Sequence, residues 1–122
     1  MNDIERNLLK DARAVIDSGK EQFVCCAITK AYSDWGNPAE HTQIAWNLRN
    51  RVQATLARTN VFEEWLYMQT GIRPERYQPS DSWDHLGVSL ENVYVSREVF
   101  RELCRMGRLA WIDRMLETGE IA

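Results

Sequence analysis

Residues 44–56 read Ile44-Ala45-Trp46-Asn47-Leu48-Arg49-Asn50-Arg51-Val52-Gln53-Ala54-Thr55-Leu56, and this stretch decides the fold class. Ile44, Leu48, Val52 and Leu56 recur every fourth residue, with His41, Ala45 and Thr55 on the same side, whereas a half-buried strand would alternate at every second residue. The spacing predicts an α-helix with one apolar stripe. Trp46 falls on the far side of that helix, with Gln53 and Ala57. Upstream, Asn37-Pro38 offers an N-cap followed by proline in the first turn, so the helix is expected to run from there to about Thr59.

Working outward toward the N-terminus, Glu21 to Asp34 carries the continuous apolar run Phe23-Val24-Cys25-Cys26-Ala27-Ile28, then Ala31 and Tyr32. Periodicity alone does not separate a buried helix from a buried strand there. The helix formers Ala27, Lys30 and Ala31 and the stop Trp35-Gly36-Asn37-Pro38 favour a helix, expected to be the most enclosed of the set. Before it, Asp3 is a good N-cap and Gly19 a good terminator, and between them Ile4, Leu8, Ala12, Val15 and Ile16 form the apolar face of a surface helix.

Toward the C-terminus, Asn60 followed by Glu63 is a variant capping box opening a short helix with Phe62, Trp65 and Leu66, ending before Gly71. From Ile72 to Val95 the periodicity fails, with Pro74, Pro79, Gly87 and Ser80-Asp81-Ser82 opposing long helices. Val88 to Val95 has room for a short strand or a 3₁₀ turn. Ser96 then caps a last helix to about Thr118, before Gly119. One stripe of it holds Phe100, Leu103, Cys104, Gly107, Trp111 and Met115, and another holds Leu109, Ile112 and Leu116. A helix apolar on two sides is either sandwiched inside the fold or buries one side in a partner. The fold expected is therefore mainly α, a single domain over residues 1–122 built as a compact bundle of about five helices, with one long irregular segment at 72–95.

Composition supports a packed core. Apolar residues make up 44% and charged residues 27% of the chain, far from the make-up of disordered sequences. Fifteen Lys and Arg stand against eighteen Asp and Glu, a net charge of -3, so the molecule as a whole is not drawn to phosphate backbones or anionic lipid. No apolar run approaches the ~20 residues a membrane helix needs. The opening Met1-Asn2-Asp3-Ile4-Glu5 is unlike a secretory signal, so a cytoplasmic protein is expected. Cys25, Cys26 and Cys104 are odd in number and irregular in spacing, which suits free, buried thiols rather than disulfides or a zinc site.

Candidate chemistry is sparse. Arg97, Arg101, Arg105 and Arg108 follow at intervals of four, four and three, so they line one strip of the last helix. Such a strip suits phosphates or an acidic protein surface, or is a solvated face balanced by Glu98 and Glu102. Trp46 and Trp83 stand apart from the main apolar stripes and are the tryptophans with an interface reading, while Trp65 and Trp111 belong in the core. Asp81, Asp84 and His85 gather two carboxylates and an imidazole that could exchange protons or bind a metal, but turn-forming residues explain them equally. No glycine-rich phosphate loop, G-x-S-x-G or H-E-x-x-H occurs, so no catalytic residue, metal site or cofactor is expected.

Leu8 to Ile16, Gly19-Lys20-Glu21-Gln22-Phe23-Val24-Cys25-Cys26-Ala27-Ile28, Glu64-Trp65-Leu66 and Gly107-Arg108-Leu109-Ala110-Trp111-Ile112-Asp113 resemble a group of small uncharacterised proteins encoded by tailed phages and prophages. The most specific piece is Arg108 to Asp113. The resemblance implies a genomic setting and carries no activity. In that setting the leading expectation is a non-enzymatic protein that binds a host protein, including host defence factors or enzymes. It would use Trp46, Trp83 and the arginine strip, and self-associate through Leu109, Ile112 and Leu116. Two rivals are a nucleic-acid binder on the four arginines and a small enzyme or ligand-binding domain with a pocket at 72–95.

Overall fold

The computed structural model describes the backbone of residues 1–58, 88–90, 93–95 and 97–121, and the side chains of residues 1–55 and 101–121. The chain is mainly α: α1 (Asp3–Asp17), α2 (Val24–Asp34), a 3₁₀ turn (Ala39–His41), α3 (Thr42–Arg58) and α4 (Arg97–Thr118). Between α3 and α4, β1 (Val88–Leu90) and β2 (Val93–Val95) pair antiparallel, with Val88 opposite Val95 and Leu90 opposite Val93. The helix expected between Asn60 and Gly71 lies outside the described residues, with Trp65, Trp83, Asp81, Asp84, His85 and the Ser96 cap.

The first helix starts one residue earlier than Asp3 suggests. Asn2 is the N-cap: its side chain accepts from the Glu5 amide at 2.8 Å, and Glu5 Oε1 accepts from the Asn2 amide at 3.1 Å. This reciprocal pair satisfies two of the amide donors that a helix start leaves open. Glu5 is buried, and its other oxygen pairs with the Arg51 guanidinium of α3, so one carboxylate both starts α1 and ties it to α3. Glu5→Ala is expected to destabilise the fold by about 1–2 kcal/mol through loss of the cap and of an acceptor for Arg51. Glu5→Gln, which keeps the cap, should cost less. A pair of urea titrations distinguishes them: equal midpoints for the two variants would remove the cap from the account, and a glutamine variant as stable as wild type would remove the ion pair.

Leu8, Leu9, Ala12, Val15 and Ile16 of α1 are buried, as are Val24, Ala27, Ile28, Ala31 and Tyr32 of α2 and Ala45, Leu48, Val52 and Thr55 of α3. α1 is the central element, packed against α2, α3 and α4. Its backbone leaves α1 through Gly19 at φ 78, a left-handed conformation that costs glycine little. Contrary to the expected start at Glu21, α2 begins at Val24 after Phe23, which supplies no side-chain cap.

The start of α3 also differs from the expected cap. Gly36 and Asn37 both take positive φ, 88 and 49, and Pro38 is extended with ψ 122. The chain then passes through the 3₁₀ turn before α3 begins at Thr42. Tyr32 fixes this corner: its hydroxyl donates to Pro38 O and lies 3.1 Å from Thr42 Oγ1. Asn37 is therefore the last residue of a left-handed turn and not an N-cap.

α4 runs antiparallel to α1. The Met1 amino group donates to Gly119 O at 3.2 Å, Arg6 to Leu116 O at 2.6 Å, and Arg13 forks onto Asp113 at 2.5 and 3.0 Å. The Arg6 bond satisfies a carbonyl that the last turn of α4 leaves open, and the Met1 bond holds the glycine just beyond it. Leu109, Ile112, Trp111, Met115 and Cys104 are buried, and Leu116 packs against them from a partly exposed position. At 3.6 residues per turn, Arg105, Asp113 and Leu116, which contact α1, project on the same side of α4 as Leu109 and Ile112. The second apolar stripe thus meets α1 of the same chain, so of the two fates expected for it the structure takes internal sandwiching. No described helix is long and apolar enough to cross a membrane.

Candidate functional site

The arginine strip does not form as one surface. Arg108 is 0% exposed, with its guanidinium carbon 5.1 Å from the centre of the Phe23 ring. Arg105 forks onto Glu102 at 2.9 and 2.7 Å and reaches Asp17 at 3.4 Å. Those hydrogen bonds hold the Glu102 carboxyl below the usual carboxylate range and raise Arg105. Arg101 is exposed, and the Arg97 side chain lies outside the described residues. The physical reason lies in the helical wheel: Arg101 and Arg108 project between the two apolar stripes and Arg105 in line with Leu109 and Ile112, and in the C-terminal half both stripes are buried. What the spacing offered as a phosphate-binding ladder is, at Arg108, part of the interior.

The cysteines also separate. Cys104 is buried, Cys25 half-buried and Cys26 exposed, a correction to the expectation that all three are interior. Their order along α2 explains it, since adjacent residues project about 100° apart and only one of the two can approach the core. Among the described residues no group of three or more His, Cys, Asp and Glu side chains is placed to hold a metal ion.

Trp46 is where the spacing of α3 put it. Ala45, Leu48, Val52 and Thr55 face the core, and the indole, on the opposite side of the helix, is 55% exposed. Large apolar side chains that stay this exposed are uncommon among the described residues, Met106 at 44% being the other. Arg49, one turn on, holds its guanidinium carbon 5.6 Å from the indole ring centre, a cation-π arrangement that orders both side chains. The signal for this partner in the sequence is the i, i+3 interval, at which helical side chains meet. Around the indole stand Gln43, Asn47, Asn50 and Gln53, all exposed, and Gln43 donates to Asn47 at 2.9 Å. From Thr42 to Arg58, α3 contains three arginines and no aspartate or glutamate.

Two of these amides, Asn47 and Asn50, also border a cleft of about 380 Å³ between the start of α1 and the flank of α3 that carries Ile44, lined besides by Asn2, Glu5, Ile44 and Arg51. Ile44 is partly exposed there and gives the cleft an apolar patch. A second cleft of about 370 Å³ lies between α1 and α2, walled by Trp35. Its indole is already engaged, donating to Asp11 Oδ2 at 2.6 Å and meeting Tyr32 edge-on at 6.3 Å. Trp35 is thereby a strut between helices, and among the described tryptophans Trp46 is the one that faces outward. Compared with protein-family models, curated proteins and solved structures, the chain has no match in any of the three.

Proposed function

We propose that this chain is a non-enzymatic binding protein that meets a partner protein through the outer face of α3. The observation that carries the reading is Trp46: an indole 55% exposed, opposite the buried stripe of its own helix and ordered by Arg49. Tryptophan and arginine are the residues whose removal most often costs an interface dearly, because each offers a large, stiff contact area with a polar edge. The phage and prophage resemblance supports a bacterial host as the setting and its cytoplasm as the compartment. The chain would then act as an accessory protein on a host macromolecule, as an inhibitor of a host defence or a host enzyme.

Neither the arginine strip nor the Leu109, Ile112 and Leu116 face is carried forward, because Arg108, Leu109 and Ile112 lie in the core of the chain itself. Trp83 lies outside the described residues. Affinity purification from the host with wild type and with Trp46→Ala provides the test. The alanine variant should keep the wild-type melting temperature and lose its partner by roughly thirtyfold or more, the effect of a hot-spot residue. Equal recovery of the same partner by both proteins would end this reading.

A further inference from the structure

On the premise that α3 is the contact surface, the spacing of its outward residues narrows the kind of partner. Gln43, Trp46, Asn50 and Gln53, separated by three, four and three residues, fall within about 80° of one another around α3 and make one row about 15 Å long. All four are exposed, opposite Ala45, Leu48 and Val52, which pack inward. The row carries no charge. Arg49, stacked on the indole, flanks it on one side and Asn47 on the other. Gln43 donates to Asn47, and among the described residues no hydrogen bond engages the side chains of Asn50 and Gln53.

Intervals of three and four mark the line along which one helix lies against another, and a polar amide on that line fixes the register between them. A helix ridge gives an extended chain no sheet edge with which to pair its main chain, whereas a second helix arrives with its backbone hydrogen bonds already made. We infer that the outer face of α3 docks an α-helix of the partner whose facing row is uncharged. An apolar or aromatic side chain of that helix meets Trp46, and amide or hydroxyl side chains meet Asn50 and Gln53. Asparagine and glutamine each donate and accept, so they pair with their own kind. A charged residue opposite them would lose its water and find no counter-charge on the row. A nucleic acid fits poorly for the same reason, because phosphates draw their affinity from several cations at once.

Two displayed libraries panned against the immobilised full chain test the inference, one a helical hairpin randomised along one face and the other unstructured linear peptides. The hairpins should enrich, with uncharged residues at the facing positions, and their affinity should change less than about twofold between low and high salt. Asn50→Asp and Gln53→Glu should each weaken a selected hairpin about tenfold or more, by burying a carboxylate without a counter-charge. Asn47→Asp, on the flank and still able to accept from Gln43, should weaken it less than about threefold, as a rim position does. Coincident thermal melts of these variants separate lost binding from lost folding. Enrichment confined to linear peptides, charged residues at the facing positions, no enrichment at all, or equal losses at Asn47 and Asn50 would each overturn the inference. A free chain whose molar mass by light scattering is doubled, and halves in Asn50→Asp, would give the row to a second copy of the chain and overturn it as well. Loss of binding in Trp46→Ala but not in Asn50→Asp or Gln53→Glu leaves the α3 surface standing and removes the docked helix. Loss in none of the variants removes both.

Discussion

Arg108→Ala is expected to lower the stability of the fold by about 3–5 kcal/mol, a large fraction of what a domain of this size possesses. The side chain is 0% exposed and its guanidinium lies 5.1 Å from the Phe23 ring centre. Truncation opens a void on the buried side of α4 and removes the cation that stacks on the Phe23 ring. Arg108→Lys should recover little of the loss, because an ammonium is more strongly hydrated and lacks the planar fork that stacks on a ring. Denaturant midpoints measure the effect. A change below about 0.5 kcal/mol, the usual range for surface substitutions, would put Arg108 at the surface and restore the arginine strip as a binding ladder.

Ile112→Ala is the second large effect, about 2–5 kcal/mol, as for other buried aliphatic truncations. Ile112 is 0% exposed on the side of α4 that meets α1. If that stripe instead served an interface between copies, the substitution would leave the protomer's stability nearly unchanged and shift the oligomeric state. Light scattering after size-exclusion chromatography, run beside the denaturant titration, reads both quantities. A fall in midpoint at constant molar mass is expected.

These two positions also mark where the sequence was hardest to read. The α3 stripe was plain, because a single apolar face opposite polar residues leaves one way to pack: Ala45, Leu48 and Val52 face inward and Trp46 outward. Gly19 and Gly119, at φ 78 and 74, ended their helices where glycine's tolerance of the left-handed region suggested. α4 was ambiguous because two apolar stripes need two neighbours, and nothing local to residues 97–118 says that one of them is α1, a hundred positions away in the chain. The arginine intervals of four, four and three define one strip, and nothing in them shows that Phe23, far off in the chain, covers Arg108. The Gly36-Asn37-Pro38 corner misled for a different reason: Asn37 is both a good N-cap and a tolerant left-handed residue. The hydroxyl of Tyr32, six residues back and bonded to Pro38 O, accompanies the second choice. Asn2 and Glu5 carry the same N-x-x-E spacing as Asn60 and Glu63, and that reciprocal spacing, which Asp3 lacks, is what sets the N-cap at Asn2.

The binding surface was half legible. Trp46 followed from periodicity, but its Arg49 neighbour and the amide border followed only once the helix was in place.

The claim on which the rest depends is that partners meet the outer face of α3 while α4 serves the chain's own interior. Hydrogen-deuterium exchange on the protein, free and bound to the partner recovered from the host, tests it most directly. The account predicts added protection concentrated in residues 42–54, around Trp46 and Arg49. Protection gathered instead on residues 97–112, with 42–54 unchanged, would contradict it.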